Sequence, residues 1–428
     1  MTRQVYLEEV ASLTVGHVGS MADEYVAAGV PFLRSLNVLP HLIDMKDVKY
    51  ISRDFHKKLK KSALRPGDVV VVRTGKPGTC AVIPANLAEA NCSDLVIARC
   101  GPELRPHFLS YWVNSIASDH VLSHTVGAVQ QHFNVGAAKR MPILLPPLKE
   151  QDDVVAILGA LDDKIELNRK AAATLEEMSR ALYRSWFVDF DPVHARADGR
   201  PPAHMDSATA ALFPDTFDED GLPAGWSTQP YPSLIEIISG GTPKTSEPSF
   251  WDGDVPWYSV VDAPPSGQIF VHATEKSITV KGLSQSPARL VPRGTTIVSA
   301  RGTVGKLAIT PVEMTFNQSC YGLRGRHQPL EAFTFFATQY VVDQLRSMAH
   351  GSVFATITRQ TFEGVELPDP GQEALVAFED QVEPWLRRID RLGQENRTLA
   401  TLRDTLLPRL MSGEFRVGAA REMIEDAA

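Results

Sequence analysis

Two stretches of the chain repeat one helical pattern, and this pattern constrains the possible folds more than any other feature. In residues 158–186 and again in 382–410, side chains of mostly apolar type recur at alternating steps of three and four. This spacing places them on one face of a helix, as in coiled coils. The positions are Leu158, Leu161, Ile165, Asn168, Ala172, Leu175, Ser179, Leu182 and Trp186, and, 224 residues later, Val382, Trp385, Ile389, Leu392, Asn396, Leu399, Arg403, Leu406 and Leu410.

These positions predict two long helices that pair along a shared seam. Each stretch would form a helix about 43 Å long, at a rise of about 1.5 Å per residue. We expect the helices to be antiparallel, with the polar seam residues Asn168, Ser179, Asn396 and Arg403 fixing their register. Pro384 and Pro408 are expected to bend or interrupt the second helix.

The segments before the two helices also resemble each other at a spacing near 225 residues. The stretch 65–75 returns as 292–302, each with a turn, a β-branched strand and a basic loop that contains glycine. The sequence therefore predicts an α+β chain with a pseudo-two-fold internal repeat, in which two similar α/β domains are separated by two long antiparallel, coiled-coil-like helices. The expected parts are a first domain (1–149), a first helix (150–190), a surface linker with little core (191–222), a second domain (223–369), a second helix (370–411) and a tail (412–428).

Composition agrees with a folded protein outside membranes, and we expect a cytoplasmic location. The chain has 428 residues, of which 43% are apolar and 22% charged. No apolar run is long enough to span a bilayer. The four cysteines form no CxxC pair, so reduced, buried thiols are expected rather than a zinc site or disulfides.

Charge is unevenly distributed along the chain. The net charge of −8 argues against a uniformly basic coat for nucleic acid. However, residues 54–76 carry an excess of five positive charges, and residues 289–306 carry four basic residues and no acid. Solvated surface is the simpler interpretation of one such cluster. Two clusters at corresponding places in a repeat favour DNA binding.

Candidate DNA-contacting residues lie on loops of both repeats. Reading base edges in the major groove requires side chains such as Arg, Lys, Asn and Gln. The candidates are Arg73, Lys76, Gln130, Gln131, His132 and Asn134 in the first domain, and Lys244, Arg301, Lys306, Thr358, Arg359 and Gln360 in the second. Closely spaced ammonium groups attract phosphate without distinguishing bases, so Lys57, Lys58, Lys60 and Lys61 are candidate phosphate contacts. A solvated surface role is an equally good interpretation of any one of these residues.

Signatures of autonomous catalysis are absent from the sequence. There is no phosphate-binding GxxxxGK[ST] loop, HExxH zinc helix, GxSxG elbow or dinucleotide fingerprint. We therefore expect a chain with no catalytic residues, no metal site and no cofactor of its own.

Several motifs along the chain resemble one family. The run 145–151 (LPPLKEQ) leads into 161–169 (LDDKIELNR), and 185–193 (SWFVDFDPV) follows. The motifs 222–226 (LPAGW) and 239–243 (SGGTP), followed by Trp257, open the second domain. Together these motifs resemble the specificity subunits of type I restriction-modification enzymes over nearly the whole chain.

The resemblance implies a non-catalytic subunit with two target-recognition domains that reads a split, asymmetric double-stranded DNA sequence. It also implies two methyltransferase subunits that assemble around the helices, and motor-nuclease subunits. S-adenosylmethionine, ATP and Mg²⁺ would then belong to these partners. The alternative is a coiled-coil adaptor whose duplicated domains bind protein.

Overall fold

The computed structural model describes residues 2–123, 125–126, 132–265, 267–326, 328–348, 356–415 and 418. The chain forms two compact units, with unit 1 made of residues 1–163 and 399–428 and unit 2 of residues 164–398. Among the described residues, no helix is both long and apolar enough to cross a membrane.

Unit 1 contains a mixed α/β domain. Its strands are β1 (Arg3–Tyr6), β2 (Ala11–Val15), β3 (Tyr25–Val26), β4 (Val30–Leu33), β5 (Val38–Leu39), β6 (Leu42–Ile43), β7 (Lys49–Ile51), β8 (Ala63–Leu64), β9 (Val69–Val72), β10 (Cys80–Val82), β11 (Ala90–Cys92), β12 (Leu95–Cys100), β13 (Thr125–Val126), β14 (His132–Phe133) and β15 (Pro142–Leu145). Its helices are α1 (Leu7–Val10), α2 (Arg53–Lys58), α3 (Pro106–Asn114), α4 (Ser118–Ser123), α5 (Val135–Lys139) and the start of α6 (Leu148–Phe187).

Unit 2 repeats this plan. Its strands are β16 (Ser227–Pro230), β17 (Ile235–Ser239), β18 (Trp251–Tyr258), β19 (Lys276–Ile278), β20 (Thr296–Ser299), β21 (Leu307–Ile309), β22 (Thr315–Phe316), β23 (Cys320–Gly325) and β24 (Glu366–Asp369). Its helices are α7 (Asp191–Ala197), α8 (Ser207–Ala210), α9 (Tyr231–Leu234), α10 (Val280–Ser284), α11 (Glu331–Met348), α12 (Arg359–Glu363) and the first part of α13 (Gln372–Met411).

Each domain is built around one antiparallel four-stranded sheet with the same strand order. The order is β10-β9-β12-β2 in unit 1 and β21-β20-β23-β17 in unit 2. The strand β9 is the run Val69–Val72, and each of its four valines is at most 2% exposed. Burial on both faces explains why this strand is continuously apolar, and β-branched side chains suit an extended backbone.

A second sheet accompanies the first in each domain, again with equivalent strands. It has the order β3-β7-β4-β11-β8 in unit 1 and β19-β18-β22 in unit 2. Each of these sheets contains one parallel pair, β4 with β11 and β18 with β22. The first and last strands of each domain also pair, β1 with β15 and β16 with β24, directly before the long helix begins. The internal repeat predicted from the sequence is therefore a repeat of topology.

The two long helices each run for 40 residues and pair antiparallel. Within unit 2, Asn168 contacts Asn396, whereas Tyr183 packs against Phe378 with ring centroids 5.9 Å apart, so the partners run in opposite directions. Ten apolar seam residues are buried, namely Leu158, Leu161, Ile165, Ala172, Trp186, Val382, Ile389, Leu392, Leu406 and Leu410. The other four apolar residues that we singled out for the seam, Leu175, Leu182, Trp385 and Leu399, are partly buried against the two cores.

Two expectations about the helical region differ from the structure. Helix α13 is not interrupted at Pro384 or Pro408, which are both exposed. The stretch 191–222 is not a coreless linker, because Val193 and Phe213 are at most 1% exposed and belong to the core of unit 2. Phe213 packs edge-on against Trp186 at 5.1 Å. The prediction of a linker followed from the many proline and acidic residues of this stretch, among which the few buried apolar residues are not evident.

Candidate nucleic-acid interface

One edge of the four-stranded sheet in unit 2 collects several polar loops. Because neighbouring strands are antiparallel, β17 and β20 end at the same edge where β23 and β21 begin. The connecting segments 240–246, 300–306 and 317–319 therefore lie together. We call these segments, with 356–360, the strand-end edge of unit 2.

The segment 300–306 is a tight hairpin loop. The amide of Gly305 donates to the Ser299 carbonyl at 2.8 Å, and the amide of Ser299 donates to the Lys306 carbonyl at 2.9 Å. Gly302 has a φ of 78°, a left-handed conformation that glycine adopts readily. The loop therefore presents Arg301 and Lys306, which are both exposed.

The segment 356–360 joins the same edge through backbone contacts. Arg301 forms an isolated β-bridge with Thr356, and the amide of Ile357 donates to the Ala300 carbonyl at 2.9 Å. Thr358 caps α12, because its hydroxyl accepts a hydrogen bond from the amide of Thr361. The side chain of Arg359 donates to the Ile237 carbonyl at 2.9 Å.

The six candidates of the second domain thus share one edge but differ in availability. Thr358 and Arg359 are exposed yet already serve local structure. The side chains of the other four candidates are exposed and have no hydrogen-bond or ion-pair partner among the described residues. These four are Lys244, Arg301, Lys306 and Gln360. These four are the stronger candidates for contact with a ligand.

Unit 1 has an equivalent strand-end edge, made of segments 16–20, 73–79, 93–94 and 132–134. The hairpin loop 73–79 matches 300–306, since the amide of Gly78 donates to the Val72 carbonyl and Gly75 has a φ of 88°. The amide of Phe133 donates to the Arg73 carbonyl at 3.0 Å, which is the counterpart of the bond between Ile357 and Ala300. Lys76 is exposed on this loop.

Arg73 is held inside this edge rather than presented on it. Its guanidinium donates to Asp94 at 2.7 Å and to the Phe133 carbonyl at 3.2 Å, and its side chain is only 11% exposed. The Thr74 hydroxyl also donates to Asp94, at 3.2 Å. The sequence suggested that Arg73 contacts DNA. In the structure, the hydrogen bonds of Arg73 instead join three segments of the strand-end edge, namely 73–79, 93–94 and 132–134. The equivalent residue in unit 2 is Ala300.

The remaining candidates of the first domain give a mixed result. The side-chain oxygen of Asn134 caps α5 by accepting from the amide of Ala137 at 2.8 Å, as Thr358 does for α12. His132 is described only through its backbone, in β14. Gln130 and Gln131 lie outside the described residues.

The lysine cluster lies on α2 and on the short 3-10 helix Lys60–Ser62 that follows it. Lys57, Lys58, Lys60 and Lys61 are all exposed, and Lys57 makes a weak ion pair with Asp54 at 3.5 Å. The ring of Phe55 on α2 stands edge-on to His17 of the strand-end edge, with centroids 6.0 Å apart. Helix α10 is the equivalent of α2 in unit 2, and the positions that match the four lysines there are Ser284, Gln285, Pro287 and Ala288. The two domains therefore differ in their charge at this place.

Sequence reasoning missed Gln318 and Thr242, two polar residues of the strand-end edge of unit 2. The Thr242 hydroxyl donates a hydrogen bond to Oε1 of Gln318. The signal available in the sequence was the polar run Asn317-Gln318-Ser319 directly before β23, a strand that pairs with β20 of the candidate hairpin. The sequence does not show, however, that this run lies beside Thr242, because the strand order is what brings the two loops together.

The exposed side chains of these edges offer hydrogen-bond donors to a ligand. Cys320 begins β23 beneath the edge of unit 2, and burial raises its pKa to about 12, which keeps the thiol protonated and unreactive. The described residues contain no group of three or more His, Cys, Asp or Glu side chains arranged for a metal ion. Exposed donors on rigid loops suit recognition of an acceptor-rich surface.

Comparison with known proteins gives a consistent family. A family model described as the type I restriction modification DNA specificity domain matches residues 9–177 and 223–391. The chain is 28% identical over 315 residues to the type I restriction enzyme HindI specificity subunit of Haemophilus influenzae, covering 63% of this chain and 68% of that one. It is 26% identical over 171 residues to the MjaIX specificity subunit of Methanocaldococcus jannaschii, covering 38% and 40%.

The fold agrees with a solved structure. The S subunit of a type I restriction-modification system from M. genitalium superposes with a TM-score of 0.53, at 14% identity and 96% coverage of both chains. This similarity concerns the fold. The family assignment comes from the two separate matches of the DNA specificity domain.

Proposed function

Because this chain belongs to the type I restriction-modification DNA specificity family, we propose that it reads a two-part, asymmetric DNA sequence with one strand-end edge for each part. The observation that carries this proposal is that the same polar edge occurs twice on the same sheet topology, with different side chains each time. Equivalent edges suit two contacts of one kind. Different side chains suit two different half-sites.

The composition of the edges supports contact with a duplex. The free donors Arg301, Lys306 and Gln360 of unit 2 are of the types that read base edges in the major groove. In unit 1, Lys76 is the exposed donor of the hairpin loop, and the lysines of α2 supply positive charge close to the same edge. Phosphate contacts position a protein on DNA, and base contacts give specificity.

The long helices have two roles in this proposal. Their antiparallel seam fixes the length of the unread spacer between the half-sites, and their remaining surfaces dock two methyltransferase subunits. Motor-nuclease subunits join that complex, which acts on DNA in the cytoplasm. Catalysis, and with it S-adenosylmethionine, ATP and Mg²⁺, belongs to the partners, so the chain itself is not an enzyme.

Titration of random-sequence DNA with the full chain and its partner methyltransferase subunits, followed by gel shift, tests the proposal. We expect binding that weakens steeply as salt is raised, because phosphate contacts release counterions. Absent or salt-insensitive binding would contradict DNA reading and favour the protein adaptor. Methyl transfer from labelled S-adenosylmethionine by the isolated chain would contradict the non-catalytic role.

A further inference from the structure

Gln318 lies on a short turn whose backbone is fixed at both ends. The side chain of Asn317 accepts a hydrogen bond from the amide of Ser319 at 3.0 Å, and the amide of Cys320 donates to the Asn317 carbonyl at 3.2 Å. The Ser319 carbonyl accepts from the amide of Ala300 at 2.7 Å, which ties the turn to the hairpin loop 300–306. The turn is therefore rigid, whereas the Gln318 side chain is exposed.

The orientation of the Gln318 amide is set by Thr242. Because the Thr242 hydroxyl donates to Oε1, one lone pair of the amide oxygen is engaged and the oxygen faces Thr242. The Nε2 atom then carries two N–H donors with no partner among the described residues. The side chain thus presents donors to an incoming ligand.

The segment that contains Thr242 is itself anchored by two tryptophans. The indole nitrogen of Trp257 donates to the Gly241 carbonyl at 3.0 Å, and that of Trp251 donates to the Lys244 carbonyl at 3.1 Å. The two rings meet edge-on, with centroids 5.1 Å apart. Hydrogen bonds from the two tryptophans of β18 therefore hold both ends of the segment 241–244. Preorganisation of this kind lowers the entropy cost of binding.

We propose that Gln318 is a specificity-determining residue that reads a guanine in the half-site of unit 2, an inference that rests on the proposed function. In the major groove, guanine offers two acceptors, N7 and O6, whereas cytosine offers a donor. Bidentate reading of adenine by glutamine needs the amide oxygen to face the base together with the nitrogen, whereas the hydrogen bond from Thr242 holds that oxygen toward the segment 240–246. An amide that presents donors therefore selects guanine over adenine and cytosine.

The effect is confined to one half-site. The position equivalent to Gln318 in unit 1 is Ser93, in the turn before β12. Serine has a shorter side chain with a single hydroxyl, which accepts as well as donates. We therefore expect loss of the Gln318 amide to leave the half-site of unit 1 unchanged.

Selection of bound sequences from a randomised DNA library, using the full chain with its methyltransferase subunits, tests the inference. Gln318→Ala is expected to lower the preference for guanine at one position by roughly 5- to 150-fold. Gln318→Glu should move the preference toward cytosine, whose N4 amine donates to a carboxylate. Thr242→Val, which removes the hydroxyl and leaves the shape, should let adenine be accepted beside guanine. Gln285→Ala is the matched control, because Gln285 is exposed on the C-cap of α10, and it should select the wild-type sequence.

Two results would overturn the inference while leaving the proposed function standing. One is that the wild-type protein and Gln318→Ala select the same two-part sequence with the same preference at every position. The other is a uniform loss of affinity across all sequences, which would make Gln318 a phosphate contact. A wild-type complex that selects no sequence would contradict the proposed function and the inference together.

Discussion

The side-chain nitrogen of Asn168 donates a hydrogen bond of 3.1 Å to Oδ1 of Asn396, across the seam of the two long helices. Asn168 is 2% exposed, so water does not satisfy its polar atoms. Any slip of one helix along the other would separate the two amides and leave Asn168 buried without its partner. The pair thus specifies the antiparallel register, as a buried asparagine does in coiled coils.

Replacing one member of this pair should cost more than replacing both. Asn168→Leu leaves the Asn396 oxygen without its donor and should lower the free energy of unfolding by roughly 1 to 3 kcal/mol. The double variant with Asn396→Leu removes both polar groups and should recover most of that loss. Urea denaturation of the four proteins of the double-mutant cycle gives the coupling energy. Strictly additive effects would show that the two amides do not interact.

Arg73 and Lys76 lie three residues apart on the hairpin loop of unit 1 and should behave in opposite ways. Arg73→Ala removes the ion pair with Asp94 and should destabilise the protein by roughly 1 to 3 kcal/mol. Lys76→Ala touches an exposed side chain and should change stability by less than about 0.5 kcal/mol, while weakening DNA binding. Thermal unfolding and gel-shift titration separate the two effects. Unchanged stability in Arg73→Ala would contradict its positioning role.

The lysines of α2 should contribute affinity without specificity. Replacing Lys57, Lys58, Lys60 and Lys61 by alanine should weaken binding to all sequences alike. For each phosphate that is no longer neutralised, the slope of log affinity against log salt should become shallower by about 0.9. Lys149 and Lys170, two exposed lysines of α6, give a charge control whose replacement should leave the slope unchanged. A change in the selected sequence would instead assign base contacts to the cluster.

Stability should depend on pH through Glu379. This carboxylate on α13 accepts from the amides of Ala332 and Phe333 at the start of α11, and burial raises its pKa from 4.5 to about 7. Between these values the folded protein keeps a proton that the unfolded chain has released, so the contribution of Glu379 to stability is fully present below pH 4.5 and falls as the pH rises toward 7.

Glu379→Gln should remove this dependence, because the amide oxygen still accepts from both backbone donors without titrating. Relative to the variant, the wild-type protein should lose at most about 3 kcal/mol of unfolding free energy across the interval. Urea denaturation at several pH values measures the difference, with Glu373→Gln on an exposed residue of the same helix as control. Parallel curves for wild type and Glu379→Gln would contradict the assignment.

The local sequence pattern was sufficient to predict the helices and the repeat. Seam residues such as Leu158 and Leu406 recur at helical spacing, and this spacing alone predicts the face on which they are buried. Pairing between distant residues was not predictable in the same way. The sequence marks Asn168 and Arg403 as polar seam positions, but only the register shows that Asn168 meets Asn396 and that Arg403 meets Asp162 at 2.8 Å.

The candidate interface likewise contains features that the sequence predicts and features that only the strand order reveals. Arg301 and Lys306 were predictable as basic residues on a glycine-containing hairpin loop. The structural role of Arg73 depends on Asp94, and the exposed amide of Gln318 depends on Thr242, both of which are brought close by strand order rather than by chain proximity. A basic residue on a loop therefore indicates the surface, and its contacts decide whether it is available to a ligand.

The most direct test of two reading edges is a map of methylated adenines in DNA modified by the complex, compared between the wild-type chain and Arg301→Ala. We expect a motif of two short parts separated by a fixed unspecified spacer, and relaxed choice at one position of one part alone in the variant. A single continuous motif, or a variant that relaxes both parts equally, would contradict the presence of two separate reading edges.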